Sequence, residues 1–449
     1  MGWEAAALER QPADSIWGNR PFMLLWTAQA ISQTAQNAIW FALMVLIEET
    51  THSTAQLGVA ILSFILPSVL FTAPAGVLVD RVDKRLVLVA TNWLRAVAVL
   101  GYVFLSHSVG AIYSVTFVFS VISQFFLPAE AAMIPTLVGK SKLITANSLF
   151  NLTLTISQLA GIVFMGPILI KFFGVHFLFV LIAILLAVCG VLVLPLPGRA
   201  SQNLTSVQPD GTRAFRLFAA DLHETWSFLA SDRMATMALL LLTSGATLSL
   251  IMAELGPRYM VAVVGLRADD TVYVLAPAGV GLALGAAIIS RLSRWVPKEL
   301  LIVVGVFTVG VGMLLLAVAS PMWNFILQNV LSVLVVPASV PKVVSLVTIV
   351  GAIAAVTGFA LSMVIISSQT ILQERAPVES RGRIFAAQIM MGNVASILPL
   401  LLIGVLADLF GVSQVMGLVG VGMFVLGYVT LRSFRDRIWG EAKDLATPR

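Results

Sequence analysis

Charge is scarce in this chain. Asp, Glu, Lys and Arg make up 11% of its 449 residues, against about 25% in a typical soluble domain. Hydrophobic residues reach 59%, and mean hydropathy is +0.98. A water-soluble fold of this composition would have too few polar side chains to cover itself, so the solvent implied is lipid. Cysteine is almost absent. The single Cys189 excludes a disulfide framework and a cysteine-based metal site, and reads as a small packing residue. There is no histidine-rich cluster, no phosphate-cradling glycine loop and no exposed nucleophile motif. ATP-driven work, metal chemistry and enzymatic chemistry therefore have no residues to carry them, and no cofactor is expected. The net charge of +5 comes from basic residues scattered in short loops, without a basic face interleaved with aromatics, so no nucleic-acid partner is expected.

What the chain does have is long apolar runs. A membrane-crossing helix needs about 20 mostly apolar residues. That window picks out 22–47, 55–78, 86–106, 110–128, 146–171 and 176–196, then 233–256, 270–290, 299–319, 344–371, 384–406 and 412–431. The expectation is an all-α membrane protein of about 12 transmembrane helices in two six-helix, pseudo-symmetric bundles. Several connections are so short that neighbouring helices must be antiparallel. The first 20 residues are polar and carry no apolar core followed by small residues, so no cleavable signal is expected.

Orientation follows from Lys and Arg. If the N-terminus is cytoplasmic, the outer segments hold only Lys171, Arg258, Arg267 and Lys342, and Arg95 lies within the third span. The remaining 22 of the 27 basic residues fall on the inner side. That asymmetry places both termini in the cytoplasm of a multi-pass cell (inner) membrane protein. Residues 1–196 form an N-terminal bundle and 233–449 a C-terminal one. Residues 197–232 form a cytoplasmic linker, in which 214–228 has the apolar spacing of a helix lying on the membrane surface. The stretch 320–343 is apolar but broken by Asn324, Gln328, Asn329 and two prolines. It reads as an outer insert dipping into the interface.

Between the second and third runs stands Ala75–Val89, AGVLVDRVDKRLVLV, with five charges in the six positions 80–85. Gly76-x-Leu78-x-Asp80-Arg81-x-x-Lys84-Arg85 in this loop, two six-helix halves and a long basic middle loop resemble the major facilitator superfamily. That family carries a G-x-L-x-D-R-x-G-R-R type signature here, and Asp83 stands where glycine is usual. The first helix (NRPFMLLWTAQAISQTAQNAIWFAL), the stretch FFLPAEAAMIPTLVGKSKLITANSL and LQERAPVESRGRIFAA, with Arg381-Gly382-Arg383, resemble the macrolide-efflux and enterobactin-exporter-like branch. Glu130 stands where that branch usually has a basic residue. The resemblance implies a latch on the cytoplasmic side made of Gly76, Asp80, Arg81, Lys84 and Arg85, with Arg381 and Arg383. In it Gly76 would permit close helix approach, and Asp80 would accept from a helix N-terminus. The competing reading is that the basic residues only set topology.

Polar side chains inside a span are costly and face the bundle interior. On the first span Trp26, Gln29, Gln33, Gln36, Asn37 and Trp40 share a face. On the fifth, Asn147, Asn151, Thr155 and Gln158 do, and the tenth ends near Gln369. In the fold the resemblance implies, such positions line or adjoin a substrate cavity. The alternative is that these amides bond helix to helix. Few charges and many amides and aromatics suit a bulky amphipathic or weakly charged small molecule. Arg95 is expected to pair with Glu130, Asp80 or the amide cluster. Proton-coupling candidates are Glu254, Arg95 and Glu130, Glu254 alternatively being an interfacial acid paired with Arg258. The function expected is secondary active, proton-coupled efflux of a drug- or siderophore-like compound by alternating access, an antiporter working as a monomer on the proton gradient across the lipid bilayer. A lipid or lysophospholipid translocator of the same fold, and a non-transporting scaffold or receptor, are the alternatives.

Overall fold

The computed structural model describes residues 16–105, 107–139, 142–198, 232–293, 295–326, 342–376 and 381–446. Twelve of its helices are long and apolar enough to cross a membrane, each matching one of the twelve runs in the sequence. In chain order the helices are α1 (Arg20–Thr51), α2 (Thr54–Arg81), α3 (Lys84–Leu105), α4 (Val109–Leu137), α5 (Leu143–Leu159), α6 (Gly166–Phe173) and α7 (Val175–Val193). They continue with α8 (Arg233–Tyr259), α9 (Val272–Leu292), α10 (Lys298–Ala317), α11 (Ala319–Ile326), α12 (Lys342–Arg375), α13 (Arg381–Phe410) and α14 (Val412–Ala446). The surface helix expected at 214–228 and most of the insert at 320–343 lie outside the described residues; α11 opens the latter.

Several helices outrun the hydropathy window. α4 was expected to end near residue 128 and continues to Leu137 through Pro128 and Pro135, because the less apolar PAEAAM still buries Ala129, Glu130 and Met133. The fifth span is not uniform. A wider π turn, Ala160–Met165, separates α5 from α6 just before Gly166-Pro167, where the missing proline N–H removes a regular helical bond. Single glycines make two of the reversals. Gly174 (φ 84°) joins α6 to α7 and Gly411 (φ 95°) joins α13 to α14, in a region of backbone space that costs glycine nothing.

The chain divides into two compact units. The first holds Met1–Leu46 and Leu62–Ala214; the second holds Ile47–Ile61 and Phe215–Arg449. In the first, Phe22, Leu25 and Ala28 of α1 pack with Leu88 of α3, Phe126 and Met133 of α4, Phe150 of α5 and Cys189 of α7. The Cys189 thiol donates to the Ala28 carbonyl at 3.3 Å. In the second, α9 and α12 approach until the backbone of one fills the side-chain space of the other. A Cβ on Gly281 would meet the Ala355 carbonyl, and one on Gly358 the Ala278 carbonyl. Lipid gives helices no hydrophobic reason to associate, so close packing over small residues is what holds such a pair.

Candidate substrate and gating site

The loop between α2 and α3 is two residues long, Val82 and Asp83. Asp83, where glycine is usual in the resembling family, has a local task. Its carboxylate accepts the Arg85 N–H at 2.9 Å, and its carbonyl accepts the Val87 N–H at 3.0 Å. It is the N-cap of α3, a position where the Asp side chain supplies an acceptor that glycine lacks. Asp80 and Arg81 are exposed and Lys84 and Arg85 partly buried. Asp80 has no ion-pair partner among the described residues. Gly76 was expected to let α2 approach a neighbour; a Cβ there would meet nothing within 4 Å among the described residues. The side chains of Arg381 and Arg383 lie outside the described set, although α13 starts at Arg381.

The α1 row divides by depth within the first unit. Gln29 and Gln33 are buried, whereas Trp26, Gln36, Asn37 and Trp40 are half-buried. Trp26 donates its indole N–H to Thr153 Oγ1 of α5 at 2.8 Å, which fixes the ring against that helix. Trp40 meets Phe64 edge to face at 5.0 Å. Asn37 donates to the Gln33 carbonyl at 2.8 Å, one turn back. On α5, Asn147, Asn151, Thr155 and Gln158 are exposed, and Gln369 of α12 is too. The α5 amides therefore do not serve as buried helix-to-helix bonds.

A second polar group forms in the same unit. Arg95 is fully buried. Its Nη2 donates to Asn92 Oδ1 at 2.7 Å and to Ser32 Oγ of α1 at 3.0 Å, and its guanidinium lies 4.3 Å from the Phe126 ring centre. Glu130 on α4 is buried and within electrostatic reach, but among the described residues no carboxylate forms an ion pair with Arg95. The Arg95 Nη1, Glu130 Oε1 and Gln29 Oε1 atoms are buried without hydrogen-bond partners. None of the three partners expected for Arg95 is bonded to it among the described residues; Ser32 and Asn92 hold it instead. Ser32 and Asn92, which hold it, were not singled out in the sequence, although Asn92 precedes Arg95 by three residues and so shares its helix face.

In the second unit Glu254 of α8 is fully buried and neither carboxylate oxygen has a partner. The expected alternative, pairing with Arg258 one turn on, is not made: Arg258 Nη1 reaches Glu48 at 3.2 Å. Asp408, which in the sequence merely ends a span, gathers three donors. The Ser53 hydroxyl donates at 2.6 Å, the Thr54 N–H at 2.7 Å and the Ala55 N–H at 3.1 Å. No spacing rule reveals this, because the donors are some 350 positions away. Groups of three or more His, Cys, Asp or Glu able to hold a metal are absent among the described residues.

Comparison with known proteins agrees with this architecture. A family model described as Major Facilitator Superfamily matches residues 25–350. An uncharacterized MFS-type transporter of Bacillus subtilis (strain 168), YfiS, is 27% identical over 414 residues, covering 91% of this chain and 92% of that protein. Macrolide efflux protein A of Streptococcus pyogenes is 31% identical over 126 residues, 27% of this chain and 31% of that protein. Among solved structures, the nucleoside transporter NupG superposes with a TM-score of 0.68 at 16% identity, covering 92% of this chain and 99% of that one. A bacterial homologue of the human lysosomal transporter Spinster superposes with a TM-score of 0.70 at 12% identity, covering 93% and 98%. At these identities the structural likeness shows the fold alone.

Proposed function

Because the chain belongs to the Major Facilitator Superfamily, we propose that it is a secondary active transporter that exports small amphipathic compounds in exchange for protons by alternating access. The observation that carries this reading is the α1 face. Gln29, Gln33, Gln36 and Asn37 stand beside Trp26 and Trp40 in a span with no ionised side chain between Arg20 and Glu48. Amides and aromatics without fixed charge recognise a bulky, weakly charged molecule through hydrogen bonds and ring contacts. A sugar phosphate or other dianion would demand paired Arg or Lys at mid-depth, and Arg95 is already engaged by Ser32 and Asn92. The named likeness of one relative to macrolide efflux supports export over import.

In this reading Trp26, Gln33, Gln36 and Trp40, with Asn151 and Gln158 of the same unit, contact the substrate. Asp80 and its basic neighbours latch the cytoplasmic side, and Glu254 or the Arg95–Glu130 group handles the proton. The protein sits in the cell membrane as a monomer with both termini cytoplasmic. The lipid-translocator reading drew on 214–228 and 320–343, which fall largely outside the described residues, and it gains no observation.

The test is a screen of amphipathic compounds against inside-out proteoliposomes with an imposed pH gradient. Uptake that collapses with an uncoupler, and that Gln33→Leu weakens through KM, is expected. Uptake indifferent to the gradient rejects proton exchange, and no uptake of any amphipathic class rejects the substrate assignment.

A further inference from the structure

The second unit contains an interlock built around Glu254. Its parts are the short segment Ile47–Ile61, the outer portion of α8 and the end of α13. A Cβ built on Gly58 of α2 would stand 2.6 Å from Glu254 Oε1, and one built on Gly404 of α13 would stand 2.5 Å from the same oxygen. The Glu254 carboxyl therefore lies in a slot that exists only because both walls are glycine. Among the described residues the slot supplies no donor: both oxygens are buried and without a hydrogen-bond partner. One turn further along α13, at Gly404 plus four, Asp408 grips the start of α2 through Ser53, Thr54 and Ala55. One turn further along α8, Arg258 grips Glu48.

The two kinds of contact differ in what they ask of the proton. Asp408 accepts from three donors and Glu48 from a guanidinium. Among the described residues Glu254 faces no cation and no N–H, so a charge placed on it there would be uncompensated. The other ionisable groups around α8 do not relieve it. Asp408 from α13 is itself an anion acting on it at a distance. Glu48 is taken by Arg258, while Arg267, in the turn before α9, is taken by Asp269 and lies near Glu49. Asp270 accepts the Arg267 backbone N–H, and His52 is exposed in the α1–α2 turn. From α12 come Glu374 and Arg375, but Arg375 meets Asp232 at the opposite end of α8.

We propose that Glu254 is a proton-operated lock: carrying its proton it seats in the Gly58–Gly404 slot and lets Ile47–Ile61 dock on α8 and α13, and on losing the proton it forces that segment away, with the Asp408 cap released in consequence. The ligand of this site is a proton. The lock deepens the transport reading and rests on it for its use, but its test needs neither substrate nor gradient.

The test is amide hydrogen exchange of the whole protein in nanodiscs without substrate, read at residues 54–58 and corrected for intrinsic pH dependence. Wild type is expected to lose about tenfold or more of its protection there between acid and alkaline conditions, as the segment opens locally. Glu254→Gln is expected to stay as protected at high pH as wild type is at low pH. Gly58→Ala, whose methyl intrudes on the slot, is expected to show at low pH the exchange that wild type shows at high pH. Asp408→Asn is expected to lower protection at every pH while retaining the pH difference. A pH response in Glu254→Gln equal to wild type, or Gly58→Ala indistinguishable from wild type, overturns the lock. If the lock titrates as described but vesicles show no proton-driven export, the function reading fails and the lock stands. If export is proton-driven and the exchange profile of Glu254→Gln is unchanged, the lock alone fails.

Discussion

Asp408 accepts the backbone N–H of Thr54 at 2.7 Å, so a carboxylate 354 positions away in sequence caps the first turn of α2. A helix start leaves N–H groups without intrahelical partners, and in lipid or at its border they must be met by something. Ser53 occupies the local capping position: its Oγ accepts the Gln56 N–H at 3.3 Å while its hydroxyl donates to Asp408. Removing the acceptor by Asp408→Ala is expected to cost about 1 kcal/mol, seen as a lower thermal midpoint of the purified protein. Asp408→Asn, which keeps one acceptor oxygen, should fall between.

Glu48 and Arg258 form the neighbouring contact, with Glu48 fully buried and Arg258 about one-third exposed (31%). Glu48→Ala leaves the guanidinium without its carboxylate and is expected to lower stability by about 2 kcal/mol. Because the partner keeps some access to water, the loss should be well below that of a fully buried pair. A double-mutant cycle with Arg258→Ala measures the coupling; additive single effects would show that the contact contributes nothing.

Asp83 gives a prediction that separates local from long-range roles in the α2–α3 loop. If its place in this sequence reflects capping of α3, Asp83→Ala should destabilise by about 1 kcal/mol, and Asp83→Gly, the residue usual in the family, by only a few tenths. Thermal unfolding of the two variants side by side reads the difference.

Hydropathy alone located all twelve spans, since a run of about 20 apolar residues has few other fates. It misjudged where α4 ends, because Pro128, Glu130 and Pro135 read as a loop although the helix carries them through. The amphipathic row on α1 was legible from its spacing. The partners of Arg95 were only half so: Asn92 is one turn away on the same helix, whereas Ser32 comes from another helix through packing. Asp408 and the Gly58–Gly404 slot left no local trace. Their meaning arises when distant helices pack, and no pattern with a period of 3.6 residues records it.

The α9–α12 contact predicts intolerance of any side chain at its glycines. Gly358→Val would drive a branched side chain into the Ala278 backbone. Overpacking of a tight interface costs about 1–3 kcal/mol when neighbours can move, and here the neighbour is backbone. The expected outcome is loss of the monodisperse peak in fluorescence-detected size exclusion, with Gly76→Val, which faces open space, retained as the control.

The central claim is exchange of substrate for protons, and its most direct measurement is substrate-triggered proton movement. Purified protein is reconstituted with a pH-sensitive dye sealed inside the vesicles, and a compound found in the transport screen is added outside with no gradient imposed. The account predicts an immediate proton flux opposite to the compound, absent from empty vesicles and slowed by Asp80→Asn while binding affinity is kept. Entry of the compound with no change in internal pH would contradict it.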